Sequence, residues 1–166
     1  MRVEGKPDYD AALEVVQEHY TIEENETPYN NVDYLGRFGG VSNALLYIEI
    51  FVPRFAVIED SVLLDDGGPE RLQDFAEAKN STKMSLHELE VSYNYRELPY
   101  MFADRESTIE GCKVLAEFIA EAWRAHLLKS FPRRKFTVYI ASHDTTEEDF
   151  YIQFEEIREN KVYLDG

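Results

Sequence analysis

The chain has 166 residues, and its 33 acidic against 17 basic side chains give a formal net charge of −16 at pH 7. A field of that sign repels nucleic-acid phosphates and anionic membranes, so we expect neither as a partner and expect a basic protein instead. Hydrophobic residues at 44% and aromatic residues at 13% exclude a disordered acidic tail and predict a single globular domain over residues 1–166.

Cysteine content and the apolar runs bear on the compartment. Cys112 is the one cysteine, which excludes an intramolecular disulfide and a cysteine-rich metal site. The first residues lack the apolar stretch of a secretory signal, and no apolar run is long enough to cross a bilayer. We therefore expect a soluble, cytoplasmic protein, whose oligomeric state the sequence does not indicate.

The first half of the chain predicts one helix, a loop and two strands. Apolar residues share one face over residues 8–24, which predicts a helix, and the glycines and Pro28 of residues 24–40 predict a loop. Residues 44–52 are apolar at both odd and even positions, which predicts a central strand covered on both faces. A returning strand is predicted over residues 55–64, interrupted at Glu59 and Asp60.

The second half predicts two further helices and three further strands. Turn residues at 65–69 lead into a helix, and strict alternation then predicts a strand that ends with Tyr93 and Tyr95 on one face. A long helix follows, capped by Ser107 or Thr108. The helices are predicted over residues 69–79 and 107–129, and the strands over residues 86–95, 136–141 and 150–155, with a short closing strand at 162–164.

The order of these elements determines the predicted fold class. No strict alternation of strand and helix occurs, so the sequence favours an α+β fold over a parallel α/β fold. We expect a single-layer antiparallel or mixed sheet of about five to six strands with three helices, the long helix packed on the sheet.

No catalytic residue, metal ligand or cofactor is predicted with a specific motif. His143 and Asp144, followed by the acidic residues 147–149, have the chemistry to hold a hard cation or to orient an imidazole for proton transfer. The spacing of a calcium loop is absent, so we interpret this segment as an exposed acidic connection. Cys112 lies on the apolar stripe of the long helix and is predicted to be an inert core residue.

The other histidines and one glutamate have structural interpretations. His126 lies near the end of the long helix, where the helix dipole favours it. His87 is predicted on a solvated strand. Glu49 lies within an apolar predicted strand, so we expect it to pair with an arginine such as Arg54 or Arg96 or to mark the rim of the sheet, with a general base as the alternative. The sequence does not indicate whether Glu49 is buried.

Acidic and tyrosine side chains form the predicted partner-binding set. Tyrosine combines a rigid apolar ring with a hydroxyl group and is enriched in protein-binding hot spots, and carboxylates attract basic groups. The predicted partner-binding residues are Asp65, Asp66, Tyr93, Tyr95, Asp144, Glu147, Glu148 and Asp149.

These observations favour a non-enzymatic acidic protein-binding domain. Immunity proteins and antitoxins, which neutralise basic toxins by charge and shape, are a class with this character, and we expect the chain to be an inhibitor of that type. Two alternatives stay open. One is a small hydrolase or metal-dependent enzyme that uses His143 and the neighbouring carboxylates. The other is an assembly adaptor or chaperone.

Overall fold

The structure, a computed structural model, describes residues 8–19, 40–102, 108–142 and 150–158. The helices in these ranges are α1 (Tyr9–His19), α2 (Val41–Phe51), α3 (Gly68–Ser81), α4 (Leu86–Tyr93), α5 (Leu98–Met101) and α6 (Ile109–Ser130). The strands are β1 (Phe55–Ile58), β2 (Ser61–Leu64), β3 (Tyr95–Glu97), β4 (Phe136–Ser142) and β5 (Phe150–Glu156). The predicted closing strand at 162–164 and most of the predicted loop at 24–40 lie outside the described residues.

The α+β class is confirmed, but the predicted single sheet with three helices is wrong. The described residues form two small antiparallel sheets, β1-β2 and β3-β5-β4, together with six helices. In the first sheet Phe55 pairs with Leu64, and the chain reverses at Glu59, whose φ is 51°. In the second sheet β5 is central, with Tyr95 opposite Gln153 on one side and Val138 opposite Phe154 on the other.

The strand predicted over residues 44–52 is wrong, because this segment is helix α2. A short apolar run is ambiguous between a buried strand and a helix, and its Ala, Leu and Glu residues are good helix formers. The Val52 N–H donates to the Ile48 carbonyl at 2.8 Å, and Pro53 follows directly. The segment therefore leaves the predicted sheet without its central strand.

The strand predicted over residues 86–95 is also wrong, because Leu86–Tyr93 is helix α4. Ser85 and Glu88 form a capping box: the Glu88 N–H donates to Ser85 Oγ at 3.2 Å, and the Ser85 N–H donates to Glu88 Oε2 at 2.7 Å. These hydrogen bonds from the Ser85 backbone and side chain lower the pKa of Glu88. Two orphan backbone donors are thereby satisfied at the helix start, and Tyr95 alone of the predicted residues belongs to a strand.

The long predicted helix is confirmed as α6, which has 22 residues. Thr108 caps it by accepting the Gly111 N–H at 3.0 Å. One face of α6 is buried against β4 and β5, and Cys112 lies in this core as predicted. The side chains in the core centre are Leu98, Cys112, Ala116, Ile119, Trp123, Leu127, Val138, Ile152 and Phe154.

Asn94 connects the two sheets. Its buried side chain accepts the Leu64 N–H at 3.0 Å and donates to the Val62 carbonyl at 2.9 Å, in the manner of a neighbouring strand. Its backbone carbonyl accepts the Phe154 N–H at 3.2 Å. One residue therefore joins the two sheets, through its side chain to β2 and through its backbone carbonyl to β5. None of the helices in the described ranges is long and apolar enough to traverse a bilayer.

Candidate partner-binding surface

Half of the predicted partner-binding residues can be placed. Asp144 and residues 147–149, together with His143, lie outside the described residues. Asp65, Asp66, Tyr93 and Tyr95 are described, and three of these four meet around a pair of arginines. Asp65 lies beside them, and its N–H donates to the Arg54 carbonyl at 2.9 Å.

Asp66 is paired with the two arginines of its own chain. Arg71 Nε lies 3.1 Å from Asp66 Oδ1, and Arg96 Nη2 contacts Asp66 Oδ2. Burial lowers the pKa of Arg96 to about 10, so the guanidinium is still protonated at neutral pH. The Asp66 carboxylate is thus compensated internally, and a partner does not meet it as a free charge.

The two tyrosines are half-buried and support this arginine pair. Arg71 donates to the Tyr93 carbonyl at 2.8 Å, and its Cζ lies 5.0 Å from the centre of the Tyr93 ring. Arg96 donates to the Tyr95 carbonyl at 2.9 Å. The Tyr93 ring packs edge-on against Phe75, with the ring centres 5.1 Å apart. The tyrosines therefore hold the junction of α3, α4 and β3 together.

A second ion-pair network contains the buried carboxylate of Glu90, which the sequence analysis did not single out. Glu90 accepts from Ser61 Oγ at 2.6 Å and pairs with Arg158. Arg158 also contacts Glu156 at 3.1 Å and donates to the Asp60 carbonyl at 3.1 Å. Burial alone lowers the pKa of Arg158, but Glu90 and Glu156 outweigh it and raise that pKa. The capping box at Ser85 is the signal that would have placed Glu90 on an inward helix face.

Arg134 joins the same network, and like the other paired arginines it contacts groups of its own chain. It contacts Glu156 at 3.2 Å and donates to the Asp60 carbonyl at 2.8 Å. Arg124 likewise turns to its own chain, donating to the Val138 carbonyl at 3.0 Å. The arginine side chains with ion pairs inside the described part of the chain are Arg54, Arg71, Arg96, Arg124, Arg134 and Arg158.

Acidic side chains form stripes on the surfaces of two helices, α3 and α6. On α3, Glu70, Asp74 and Glu77 recur at helical spacing and are exposed. On α6, Glu110 and Glu117 share a face near Asp8. Burial, then the charges of Asp8 and Glu110, raises the pKa of Glu117. The two neighbouring carboxylates of Asp8 and Glu110 make this part of the surface acidic.

Glu49 and two of the histidines lie within the described residues. Glu49 is exposed on α2 and pairs with Arg54 at 3.4 Å, one of the two arginines named as its partners. His87 lies on helix α4, not on a solvated strand, with its Nε2 3.2 Å from Glu155. His126 lies near the end of α6 as predicted and stacks on Phe55.

No known protein identifies this arrangement. Searches of protein-family models, curated proteins and solved structures found no match to the chain. Within the described ranges, no group of three or more His, Cys, Asp or Glu side chains has the arrangement of a metal site. We therefore base the functional inference on the charge and the surface of the molecule.

Proposed function

We propose that the chain is a non-enzymatic acidic protein-binding domain, an inhibitor of the immunity or antitoxin type that neutralises a basic protein. The observation that carries this proposal is the separation of charge in the structure. Arg71, Arg96, Arg134 and Arg158 are held in part-buried ion pairs with the chain's own carboxylates. Glu70, Asp74 and Glu77 of α3 and Glu110 of α6 are exposed. The chain as a whole carries a formal charge of −16, and within its described residues the carboxylates of α3 and α6 are exposed.

Such a surface acts mainly on the rate at which a partner is captured. Complementary fields raise association rate constants by one to three orders of magnitude over those of a neutral pair. They also exclude partners of the same sign, because placing like charges together costs several kcal/mol. A basic protein gains from both effects, and a nucleic acid or an anionic membrane gains from neither. We place this activity in the cytoplasm.

The test begins with a candidate partner encoded next to this chain. A basic protein from a neighbouring reading frame is purified, and its association with the chain is followed by stopped-flow fluorescence. Raising the salt from about 0.1 M to about 1 M shortens the screening length from about 10 Å to about 3 Å, so the association rate should fall by tenfold or more.

The α3 stripe supplies the matched variants. Glu70→Gln, Asp74→Asn and Glu77→Gln combined should slow association at low salt and have little effect at high salt. Gln73→Ala with Asn80→Ala changes two exposed uncharged residues of the same helix and should leave the rate unchanged. A rate that does not depend on salt, or an acidic protein bound as fast as the basic one, contradicts the proposal.

A further inference from the structure

Helix α2 and the residue that caps its C-terminal end expose an apolar stripe, which we define as Val41, Leu45, Ile48 and Val52. These residues are 80%, 61%, 52% and 47% exposed, respectively. They follow one another at steps of four, three and four residues, which is the spacing of a seam between two packed helices. Single exposed apolar residues are ordinary, but a contiguous patch on a soluble protein marks an interaction site.

The C-terminal end of α2 is anchored to the core of the protein. At the end of α2, Ile50 and Phe51 pack against the main core. The Trp123 indole N–H of α6 donates to the Ile50 carbonyl at 2.7 Å. The described side chains from Val41 to Glu49 are all exposed. The helix is therefore anchored at one end and presents the rest of its length, about 15 Å at 1.5 Å per residue, to solvent.

Further apolar groups flank the stripe. Leu46 of α2 is exposed, and the Tyr47 ring lies 6.1 Å from that of Phe102. Phe102 directly follows α5, where Tyr100 and Met101 are also exposed. The apolar surface thus continues from α2 toward α5, and the one charged residue in the sequence of α2, Glu49, is paired with Arg54.

Charge distinguishes between the two kinds of helix that would fit this stripe. A second copy of the chain presents the same apolar residues but also the same −16 charge, and net charge of that size keeps copies apart. A basic protein is attracted by that charge. We propose that the α2 stripe is the docking surface for an apolar helix face of the basic partner. This inference rests on the proposed function and adds the place of contact to it.

The inference is tested with a synthetic probe of the stated chemistry. The probe is an amphipathic peptide of about 20 residues with leucine on one face and lysine on the other, long enough to form a helix on binding. Leu45→Ser with Ile48→Ser should weaken its binding by about tenfold or more, because both side chains lose buried apolar contact. Calorimetric titration measures the affinity, and circular dichroism verifies the fold.

A control variant distinguishes binding at this stripe from non-specific binding to any exposed apolar side chain. Leu128 of α6 is 66% exposed, close to the 61% of Leu45, and lies outside the stripe. Leu128→Ser should bind the peptide as the parent chain does. Equal weakening by the Leu128 and Leu45 variants, or unchanged affinity in the Leu45 and Ile48 double variant, overturns the assignment of α2.

A second peptide distinguishes this inference from the proposed function. It carries the same leucine face with glutamate in place of lysine. If the lysine peptide binds in a salt-dependent way but ignores the α2 variant, the α2 inference fails and the proposed function stands. If the glutamate peptide binds as tightly as the lysine peptide, the requirement for a basic partner fails, and the proposed function fails with it.

Two measurements check that the stripe is free for a partner. Cys112 is buried, so Leu45→Cys introduces one accessible thiol. This thiol should react with a maleimide about as fast as the thiol of a Gln73→Cys variant, because Gln73 is exposed. A rate as slow as that of the buried Cys112 means that the chain itself covers the stripe, which overturns the proposal. Sedimentation at low salt should give a monomer. A dimer that Leu45→Ser dissociates assigns the stripe to a second copy and overturns the proposal.

Discussion

The single residue Asn94 forms hydrogen bonds to both sheets. Its amide bonds two backbone groups of β2, and its own carbonyl bonds β5, so every polar atom of the side chain is used inside the protein. A buried polar group that is fully satisfied fixes one arrangement of its neighbours, whereas a half-satisfied group is costly. Asn94 is therefore one of the residues that fix how the two sheets are joined, together with Arg134 and Arg158.

Replacing Asn94 with alanine should lower the free energy of unfolding by about 2–4 kcal/mol, because the Leu64 N–H and the Val62 carbonyl both lose their partners in a buried place. Urea denaturation followed by circular dichroism measures the change. Asn80→Ala is the control. Asn80 is exposed and donates only to the Ala76 carbonyl of its own helix, so its loss should cost about 0.5 kcal/mol or less. Equal losses for the two variants would contradict the role given to Asn94.

At the scale of elements, α1 and α6 meet with like charges. The Tyr9 and Phe118 rings pack edge-to-face with their centres 4.9 Å apart, while burial and, after it, the charges of Asp8 and Glu110 raise the pKa of Glu117. A carboxyl group whose pKa is raised in the folded state favours folding while protonated. That contribution is lost as the pH rises above the unfolded value of about 4.5.

Glu117→Gln should therefore stabilise the protein at pH 7, by a few tenths of a kcal/mol once solvent screening is allowed for. The gain should disappear below about pH 4, where the glutamate is protonated in both states. Thermal unfolding at the two pH values measures the effect. Glu121→Gln is the matched control on the same helix. Because Glu121 pairs with Arg124 at 3.1 Å, its loss should be neutral or slightly destabilising at pH 7. A destabilised Glu117 variant at pH 7 would refute the repulsion.

Elements with many repeats of one period were predictable from the sequence, and short ones were not. In α6 many apolar residues recur at helical spacing, and in the seven-residue strands β4 and β5 apolar residues recur at every second position, so each pattern indicates one kind of element. In α2 a short apolar run fits either a strand or a helix. In α4 the alternating pattern predicted a strand, and the Ser85 and Glu88 spacing of a capping box was not used. The site was predictable only in part. Composition indicates an acidic surface, but the pairing of Asp66 with Arg71 and Arg96 joins residues that only the tertiary structure brings together.

At the scale of the whole molecule, repulsion among the excess negative charges destabilises the folded state. A net charge of −16 repels itself in the folded state more than in the expanded chain, and salt screens that repulsion. The same charge keeps an exposed apolar helix from driving self-association. Stability and solubility therefore respond to salt in opposite directions.

Raising sodium chloride from about 0.01 M to about 0.3 M should increase Tm by about 2–4 °C, which corresponds to about 1 kcal/mol for a domain of this size. Differential scanning calorimetry measures the shift. The variant with Glu70, Asp74 and Glu77 neutralised carries three fewer charges, so its shift should be smaller. An unchanged or falling Tm in the parent chain would mean that its internal ion pairs, rather than self-repulsion, dominate the response to salt.

The Arg158 contacts also set a condition on the order in which the domain is completed. Arg158 reaches back 68 residues to Glu90 and 98 residues to the Asp60 carbonyl. During synthesis the Glu90 carboxylate of α4 therefore lacks its arginine partner until residue 158 is made, whereas the Asp60 carbonyl also has Arg134 as a donor. Contacts between distant parts of a chain form slowly, because the closing of the loop is costly before they can contribute. A nascent chain halted before residue 158 would hold Glu90 without its guanidinium, and we expect it to be cut by proteases far faster than the finished protein.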